Sequence, residues 1–285
     1  MARRLAAAGI RVWGWNVPPE DAELLRPAGV EIAASPAEAV DGAQIVVTMV
    51  PNAEAIESFA EGVDGFLPAM RDGAVWLQTS TVGVKPAERL MRLAEKHGVG
   101  FVDSPVLGSR EPAERGELVM LSSGDEELID LCEPVFQAIA RRHFRLGPAG
   151  AGSRMKMVAN HWIMAAVGGL AETMALASVL GVDGGLFLEA LEGTQMDMGY
   201  AQTKGRMMLE RSYPTHGNLA NGAKDARLAH EAARDAGLSA RISGAASQLM
   251  DAALAIRPGT EDMAAAYEAA FRSSVSHARG PVAGS

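Results

Sequence analysis

Short apolar runs alternate with segments of helical spacing along the first half of the chain. Runs of this length that are rich in Val, Ile and Trp are typical of buried strands. The segments between them, in which apolar residues recur every three or four positions, predict helices. The runs predicted as strands are Ile10–Trp15, Val30–Ala33, Gln44–Val50, Val75–Thr79 and Gly100–Pro105.

The helices predicted between these strands determine how the strands pair. Strands separated by helices are joined by crossover connections and therefore run parallel. The sequence Ser35-Pro-Ala-Glu38 predicts a capping box with Pro at the first helical position. The predicted helices are Pro19–Arg26, Pro36–Asp41, Ala53–Met70 and Lys85–His97. The fold class predicted for this half is α/β, with a doubly wound sheet.

The pattern changes after Lys156, where helical spacing continues and no strand pattern follows. A long apolar helix is predicted from near Gly150 to Leu180, and its composition is typical of a helix buried nearly all round. We therefore predict a sheet domain at 1–148, an all-helical domain at 149–273 and a disordered tail at 274–285. The later helices are predicted at 184–193, 199–211, 219–236, 242–255 and 260–273.

The composition excludes several classes of function. The chain has 285 residues, 48% hydrophobic and 21% charged, which is enough for two domains with their own cores. A formal net charge of −9, without a cluster of Lys and Arg, argues against nucleic acid and anionic membranes as partners. The single cysteine, Cys132, fits a reducing compartment, and neither a signal peptide nor a charge-free apolar span is evident. We expect a soluble cytoplasmic protein.

Two polar residues stand at the head of the long helix. Lys156 and Asn160 are four residues apart and share a helix face, and the glycines of the segment 147–160 allow another backbone or a ligand to come close. On spacing alone, a lysine whose stem lies along apolar surface with its ammonium group in water is the more common case. We expect this turn to lie in a crevice between the two domains, where ligands commonly bind, which favours a reaction centre.

Small and polar residues follow several of the predicted strands. Ligands of a doubly wound sheet bind outside the carboxyl ends of its strands. Each residue alone is ambiguous, because Ser and Thr after a strand are commonly helix caps and Pro51 can simply end a strand. Together they predict a nucleotide crevice lined by Asn16, Met49, Val50, Pro51, Ser80 and Thr81.

Three segments make the chain resemble the β-hydroxyacid dehydrogenase family, which includes 3-hydroxyisobutyrate dehydrogenase, tartronate semialdehyde reductase and glyoxylate/succinic semialdehyde reductase. The segment Asp103–Leu118 resembles the family's substrate-binding segment, Gly147–Asn160 resembles its catalytic segment, and Lys224-Asp225 resembles its Lys-Asp pair. The resemblance runs from Met1 to about Ser273. It implies a Rossmann-like doubly wound sheet followed by an all-α C-terminal domain.

The resemblance also implies roles for individual residues. Lys156 matches the catalytic lysine, and Asn160 matches the asparagine that helps to hold the substrate. A partly desolvated lysine suits proton exchange with a substrate oxygen near neutral pH. The other implied contacts are Ser104, Gly108 and Ser109 with the substrate, the backbone of the last two meeting its carboxylate, and Lys224 with substrate and nicotinamide. The implied cofactor is NAD or NADP, the implied substrate a small β-hydroxy acid or semialdehyde, and the implied assembly a homodimer or homotetramer.

The chain departs from the family's usual pattern at two places that affect specificity. Leu107 stands where the family usually has Ser, which predicts a less polar or differently shaped substrate. Val17-Pro18 follows Asn16 where NADP-preferring members place Arg, and no acidic residue there argues for NAD. The sequence therefore leaves the choice of cofactor open.

The strand and the Gly-x-Gly-x-x-Gly turn with which the family opens are not in this sequence, because Met1–Leu5 already corresponds to the helix after that turn. That turn holds the pyrophosphate at a helix N-terminus. The strand lies centrally in the family's sheet, so the strands at 10–15 and 44–50 would lack their shared neighbour. Each buried backbone group left unpaired would cost about 1–3 kcal/mol. We expect a truncated reading frame and weak or absent dinucleotide binding.

Two classes of function therefore stay open. The first is an NAD(P)-dependent oxidoreductase in which Lys156 is the proton donor or acceptor. The second is a truncated, non-catalytic relic that serves as a binding or oligomerisation module. An imine reductase shares the fold, but that class usually replaces the lysine. No metal site is expected, because no His, Cys or carboxylate cluster has ligand spacing, and no Gly-x-Ser-x-Gly elbow indicates a serine hydrolase.

Overall fold

The computed structural model describes residues 1–270. The predicted tail at 274–285 and the end of the helix predicted at 260–273 lie outside the described residues. The chain divides into two compact units, Met1–Met157 and Val158–Ser285. The two units are described in turn.

Short strands and helices alternate along the first unit. Every strand predicted from an apolar run is confirmed, each with narrower bounds. The strands are β1 (Trp13–Gly14), β2 (Glu31–Ile32), β3 (Ile45–Thr48), β4 (Val75–Gln78), β5 (Gly100–Asp103), β6 (Val106–Leu107), β7 (Leu118–Ser122) and β8 (Ala140–Arg145). The helices are α1 (Ala2–Ala7), α2 (Pro19–Glu23), α3 (Pro36–Ala39), α4 (Ala53–Ala60), α5 (Phe66–Ala69), α6 (Val84–Lys96), α7 (Arg110–Arg115), α8 (Glu126–Leu131) and α9 (Glu133–Ile139).

The strands form three sheets, in the orders β1-β2, β3-β4-β5 and β6-β7-β8. The pairs within the first two sheets are parallel, as crossover connections require. In the register of the second sheet, Trp76 of β4 lies between Val46 of β3 and Phe101 of β5. The predicted α/β class is confirmed. The third sheet was not predicted; β6 and β7 pair antiparallel, and β7 and β8 pair parallel.

Strand β4 is buried on both faces, because helices cover both sides of its sheet. Successive side chains of a strand point to opposite faces. Val75 and Leu77 accordingly pack in a cluster with Leu5 of α1 and Ile129 of α8. Trp76 packs on the other face with the buried residues of α4, α5 and α6. Helices on both faces of a parallel sheet are the defining feature of the doubly wound architecture.

The parallel strands are interrupted between β1 and β3. Within residues 1–270, β1 pairs only with β2 and β3 pairs only with β4. Val12, which precedes β1, and Val47 of β3 nevertheless pack against the same apolar cluster. The two strands thus border one core although no described strand pairs with both.

The prediction of one continuous helix over 53–70 is wrong, because the chain leaves the helical conformation between residues 61 and 65. Helix α4 ends at Ala60 and α5 begins at Phe66. Gly62 has a φ of 91°, a conformation that only glycine adopts readily. Gly65 is also required, since a Cβ atom there would lie 2.5 Å from the carbonyl carbon of Glu61. Helical spacing of the apolar residues continues across this turn, so the pattern alone could not reveal it.

The second unit is helical over its described residues, 158–270, as predicted. A single helix, α10, covers Ala151–Leu180, so that its first turns belong to the first unit. Its core residues, among them Met164, Ala171 and Met174, pack with Met208, Leu219 and Met250 of the following helices. These helices are α11 (Gly184–Leu191), α12 (Gly199–Glu210), α13 (Leu219–Asp235) and α14 (Arg241–Leu254).

A buried ion pair holds two segments of the second unit together. Lys204 of α12 donates to Asp262 with an Nζ–Oδ1 distance of 2.7 Å, and both side chains are buried. The other oxygen of Asp262 accepts the backbone N–H groups of His216 and Gly217. A buried carboxylate needs such partners to offset its desolvation. The pair therefore joins α12, which precedes α13 in the sequence, to the segment around Asp262, which follows it.

Helix α10 differs from the prediction that it is buried nearly all round. Its outer face exposes large apolar side chains, with Trp162 exposed to 64% and Leu180 to 67%. By length and composition this helix could cross a membrane, with a mean hydropathy of 1.7 in its most apolar window. That is weak evidence for a span, because 44% of the window is buried within the protein and core helices of soluble proteins have the same composition.

Candidate functional site

The head of helix α10 is fixed by a carboxylate at the end of β5. Asp103 is fully buried, and its Oδ2 accepts the backbone N–H of Ser153 at 2.7 Å. Its Oδ1 accepts the hydroxyl of Ser153 at 2.8 Å. Burial raises the pKa of the Asp103 carboxyl above its ordinary value, and the hydrogen bonds from Ser153 and Ser123 oppose that rise. The carboxylate and the first-turn N–H groups of the helix satisfy each other.

Gly152 allows the helix to approach the strand ends closely. A Cβ atom at this position would lie 2.2 Å from the carbonyl oxygen of Leu121 and 2.7 Å from that of Asp103. Its N–H donates to the hydroxyl of Ser123 at 2.8 Å. The glycine therefore brings the first turn of α10 against the ends of β5 and β7.

Lys156 and Asn160 follow this anchored turn on the same helix. Lys156 is only 8% exposed and Asn160 only 1%. The Nδ2 atom of Asn160 has no hydrogen-bond partner among residues 1–270. Buried polar atoms nearly always have a partner, so an amide without one marks a position where a ligand could accept a hydrogen bond. The predicted pair is thus brought together at the head of α10, as its spacing requires.

The residues predicted to bind substrate between Asp103 and Ser109 differ in their burial and in the direction of their side chains. Ser104 is fully buried, and its hydroxyl lies 2.6 Å from that of Ser122, so its side chain faces the interior of the first unit. Gly108 has a φ of 117°, and a Cβ atom there would lie 2.9 Å from a methyl carbon of Leu118. Ser109 precedes α7, and its side chain does not cap that helix. Gly108 is exposed and Ser109 is half-buried, so the loop at 108–109 is accessible to a ligand, whereas the side chain of Ser104 is not.

Two of the predicted cofactor segments are joined directly. The N–H of Val50, after β3, donates to the hydroxyl of Ser80, after β4, at 2.9 Å. The hydroxyl of Thr79 donates to the carbonyl of Thr48 at 2.7 Å. Because these strands are parallel neighbours, their carboxyl ends meet at one sheet edge. Met49 is exposed there and Pro51 follows on the surface, while Ser80 is fully buried.

Asn16 lies apart from that group, in a pocket of its own. The pocket encloses about 340 Å³ beyond the carboxyl ends of β1 and β2. Its lining combines apolar side chains with one carboxylate and one guanidinium group, and none of the other predicted cofactor residues takes part. The lining residues are Trp15, Asn16, Pro19, Ala22, Glu23, Arg26, Ile32, Ala33 and Ala34.

Lys224 lies in the second unit, near the start of α13. Its Nζ is 3.0 Å from Oδ1 of its sequence neighbour Asp225, and both side chains are largely buried. Asn218 caps the same helix by accepting the N–H of Asn221. The role of Lys224 beside substrate and nicotinamide stays a prediction.

Sequence reasoning missed two sets of polar residues. The first is Asp103 with Ser123 and Ser153, which are far apart in the sequence and carry no motif of their own. The signals were Asp103 at the start of the segment that resembles a substrate-binding motif, and Gly152-Ser153 within the segment that resembles a catalytic motif. The second is Glu23 with Arg26, whose spacing of three residues is also that of an ordinary surface pair.

Two family models match the chain in sequence. Residues 1–147 match the one described as the NAD binding domain of 6-phosphogluconate dehydrogenase. Residues 150–270 match the one described as NAD-binding of NADP-dependent 3-hydroxyisobutyrate dehydrogenase. Together they account for both units. The chain belongs to the β-hydroxyacid dehydrogenase family.

Individual relatives support this family membership. Glyoxylate/succinic semialdehyde reductase 2 of Arabidopsis thaliana is 29% identical, over 94% of this chain and 75% of that protein. L-threonate dehydrogenase of Cupriavidus necator is 30% identical, over 92% of this chain and 89% of its own. The solved structure of 3-hydroxyisobutyrate dehydrogenase from Mycobacterium tuberculosis with L-serine superposes with a TM-score of 0.83 at 26% identity, covering 94% of this chain and 93% of that one.

The family fixes the reaction class of this β-hydroxyacid dehydrogenase. It is an NAD(P)-dependent oxidoreductase with a Rossmann-type N-terminal domain and a helical C-terminal domain. One feature of the structure fits such a cofactor: the pocket beyond β1 and β2 lies at the carboxyl ends of parallel strands, where a doubly wound sheet binds its ligands.

Proposed function

We propose that this β-hydroxyacid dehydrogenase interconverts a small β-hydroxy acid and its semialdehyde or keto form, with Lys156 as proton donor and acceptor. The observation that carries the proposal is the buried Lys156 one helical turn before an Asn160 whose Nδ2 has no partner in the described part of the chain. A buried ammonium group and a buried amide donor on one helix face suit an oxygen that gains negative charge during reaction.

The residues divide the chemistry between them. A bound nicotinamide supplies a hydride to the carbonyl carbon of the substrate, or accepts it in the reverse direction. Lys156 gives a proton to the substrate oxygen on reduction and removes it on oxidation. Asn160 donates an amide hydrogen to that same oxygen, which stabilises its negative charge without adding charge of its own. The anchored first turn of α10 holds both side chains in position.

Substrate and cofactor are assigned to the remaining predicted residues. The backbone N–H groups at Gly108 and Ser109 receive the substrate carboxylate, and Ser104 supports this loop from the interior through Ser122. Lys224 completes the site toward substrate and nicotinamide. We assign the cofactor-facing edge to Asn16, Met49, Val50, Pro51, Ser80 and Thr81.

The domains and compartment follow from the same proposal. Residues 1–148 are assigned to dinucleotide binding, and residues 149–273 to substrate binding and oligomerisation. The cytoplasm is the proposed compartment, which agrees with the single cysteine. Cys132 is fully buried, and burial raises the pKa of its thiol to about 12.

A homo-oligomer is the proposed assembly. On α10, four exposed side chains lie within roughly 40° of one another around the helix axis and so share one face. They are Val158, Trp162, Leu176 and Leu180. Apolar stripes of this kind on a helix are usually covered by another helix. We assign a second copy of the chain to this face, because the family that the sequence resembles usually pairs its helical domains in dimers or tetramers.

Turnover by single variants tests the role of Lys156. The whole chain is assayed by nicotinamide absorbance with NADH and NADPH against a panel of short β-hydroxy acids and semialdehyde acids. Lys156→Met should lower kcat about 10²–10⁴-fold, the usual range for loss of a proton-transfer group, with a smaller change in KM. The matched control is Lys96→Met, which removes an exposed lysine paired with Glu61. Full turnover by the Lys156 variant would rule out the proposed role.

A non-catalytic binding module is the second candidate. The observation that favours it is the break between β1 and β3, where no described strand pairs with both. In this case the whole panel gives no turnover with either nicotinamide, while the chain stays folded by circular dichroism and oligomeric in solution. Turnover of any panel member that depends on Lys156 excludes this candidate.

A further inference from the structure

The pocket beyond β1 and β2 contains two charged side chains that were not predicted as ligands. Among its lining residues only Glu23 and Arg26 are charged. Two nitrogens of Arg26 donate to the two carboxylate oxygens of Glu23, one of them at 2.9 Å. Both side chains are about half exposed, at 51% and 55%, so a ligand in the pocket can reach them.

The size and place of this pocket suit one end of a dinucleotide. Its volume of about 340 Å³ is near the lower end of the roughly 300–1,000 Å³ range of small-molecule pockets. It is therefore large enough for a nucleoside and too small for a whole dinucleotide. Trp15 offers an aromatic surface and Asn16 a hydrogen-bonding side chain at the end of β1.

The two nicotinamide cofactors differ only at the adenosine ribose, which carries a phosphate on its 2′ oxygen in NADP and a free hydroxyl in NAD. A ribose diol is a neutral donor that a carboxylate can accept. A phosphate is a dianion that needs a cation, and Arg is well suited to bind it through paired N–H groups. The balance between Glu23 and Arg26 therefore decides which ribose the pocket accepts.

We infer that Glu23 makes this pocket select NAD over NADP, by accepting the hydroxyls of the unmodified ribose and by occupying the guanidinium of Arg26. The inference rests on the proposed oxidoreductase function and adds its cofactor preference. A 2′-phosphate entering the pocket meets a carboxylate, and it must break the Arg26–Glu23 pair to reach a cation. The Arg26 guanidinium also holds the pKa of Glu23 below its ordinary value, so the carboxylate is ionised at neutral pH.

No second cation lines the pocket to reverse this balance, and the guanidinium of Arg3, which lies beside this segment, donates to the carbonyl of Leu24. Asn16 is followed by Val17 and Pro18, and Arg26 is the one cation among the lining residues of the pocket. Glu23 and Arg26 together contribute no net charge. A dianion gains little Coulomb energy from such a neutral pair, whereas a diol needs only the acceptor oxygens of Glu23.

Two fragments that differ only by the 2′-phosphate test the inference. Titration calorimetry measures the binding of 5′-AMP and adenosine 2′,5′-bisphosphate to the whole chain. The unmodified protein should bind 5′-AMP at least several-fold more tightly. Glu23→Gln keeps the side-chain shape and removes the charge, and it should increase the affinity for the bisphosphate at least tenfold. The double variant with Glu23→Gln and Arg26→Gln should lose that gain.

The control is Glu114→Gln, which breaks an exposed pair with Arg110 away from the pocket and should leave both affinities unchanged. The inference is overturned if the unmodified protein prefers the bisphosphate, if Glu23→Gln leaves the ratio of affinities unchanged, or if neither fragment binds. The fragments lack the nicotinamide, so these results do not depend on turnover or on Lys156. Failure of the proposed reaction and failure of this inference are therefore distinguishable.

Discussion

At the scale of single residues, Gly152 is the position where one added methyl group has the largest predicted effect. Its Cβ would meet two backbone carbonyl oxygens, at 2.2 and 2.7 Å, and backbone cannot move aside as a side chain can. Gly152→Ala should therefore destabilise the protein by about 1–3 kcal/mol, the usual cost of overpacking. The measurement is the free energy of unfolding in urea.

Gly169 provides the matched control in the same helix. A Cβ atom there would have no neighbour within 4 Å, and Ala is favoured over Gly in a helix interior by about 0.5–1 kcal/mol. Gly169 lies on the same face of α10 as Val158 and Leu180, which we assign to a second copy of the chain, so both glycine variants are compared at concentrations where the protein is monomeric. There Gly169→Ala should stabilise the protein slightly. If both variants behave alike, the close approach at Gly152 is not the cause.

Asp103 should make stability depend on pH. Its pKa in the folded protein is raised by burial, so the folded state binds this proton more tightly than the unfolded state does. The stabilisation from this group is therefore fully present below the unfolded pKa, near 4, and is lost as pH rises through the folded pKa. The asparagine in the Asp103→Asn variant cannot ionise, so the stability of that variant should not fall in this way as pH rises. Unfolding free energies of both proteins from pH 4 to pH 8 check this, and a constant difference between them would contradict it.

At the scale of elements, the strand pair β1–β2 should open far more readily than β4. The pair has two residues in each strand, and its flanking hydrogen bonds are Glu31 N–H to Val12 and Ala33 N–H to Gly14. Strand β4 is buried and paired on both sides. Short, singly paired ladders exchange amide hydrogens faster than core strands. Hydrogen exchange by mass spectrometry should show peptides over 30–34 exchanging at least tenfold faster than those over 75–78, and equal protection would refute this.

How far the elements could be predicted depends on where their signal lies. The strands of the first two sheets are apolar runs between helices, so their periodicity identified them. Strand β8 escaped prediction because Ala140–Arg145 is rich in arginine and mostly exposed, which is not the pattern of a buried strand. Strand β7 (Leu118–Ser122) was also not predicted, although its first four residues are an apolar run of the kind that identified the other strands.

The candidate site could be predicted only where its residues are close together in the sequence. Lys156 and Asn160 are neighbours on one helix, so their spacing in sequence already sets their spacing in space. The contact between Asp103 and Ser153 depends on how β5 and α10 pack, and nothing local in the sequence records it. The exposed face of α10 was also missed, because an apolar composition does not distinguish a side chain in the core from one on a surface.

At the scale of the whole molecule, the apolar stripe on α10 predicts the state of association. Trp162→Glu places a charge within this stripe and should shift the protein to a smaller species, because burial of a lone carboxylate in an apolar contact is costly. Sedimentation velocity measures the change. Leu238→Glu, at an exposed apolar residue outside the stripe, is the control and should leave the distribution unchanged. A single species of the same mass for all three proteins would contradict the proposed interface.

The interruption between β1 and β3 also affects the tendency of the protein to aggregate during refolding. The edge of β3 that no described strand pairs with carries the sequence Ile45-Val-Val-Thr48, which contains no charge and no proline. Unprotected edges of this composition add strands from other molecules and seed aggregates. Refolding yield should therefore fall as protein concentration rises, and light scattering during refolding will report it.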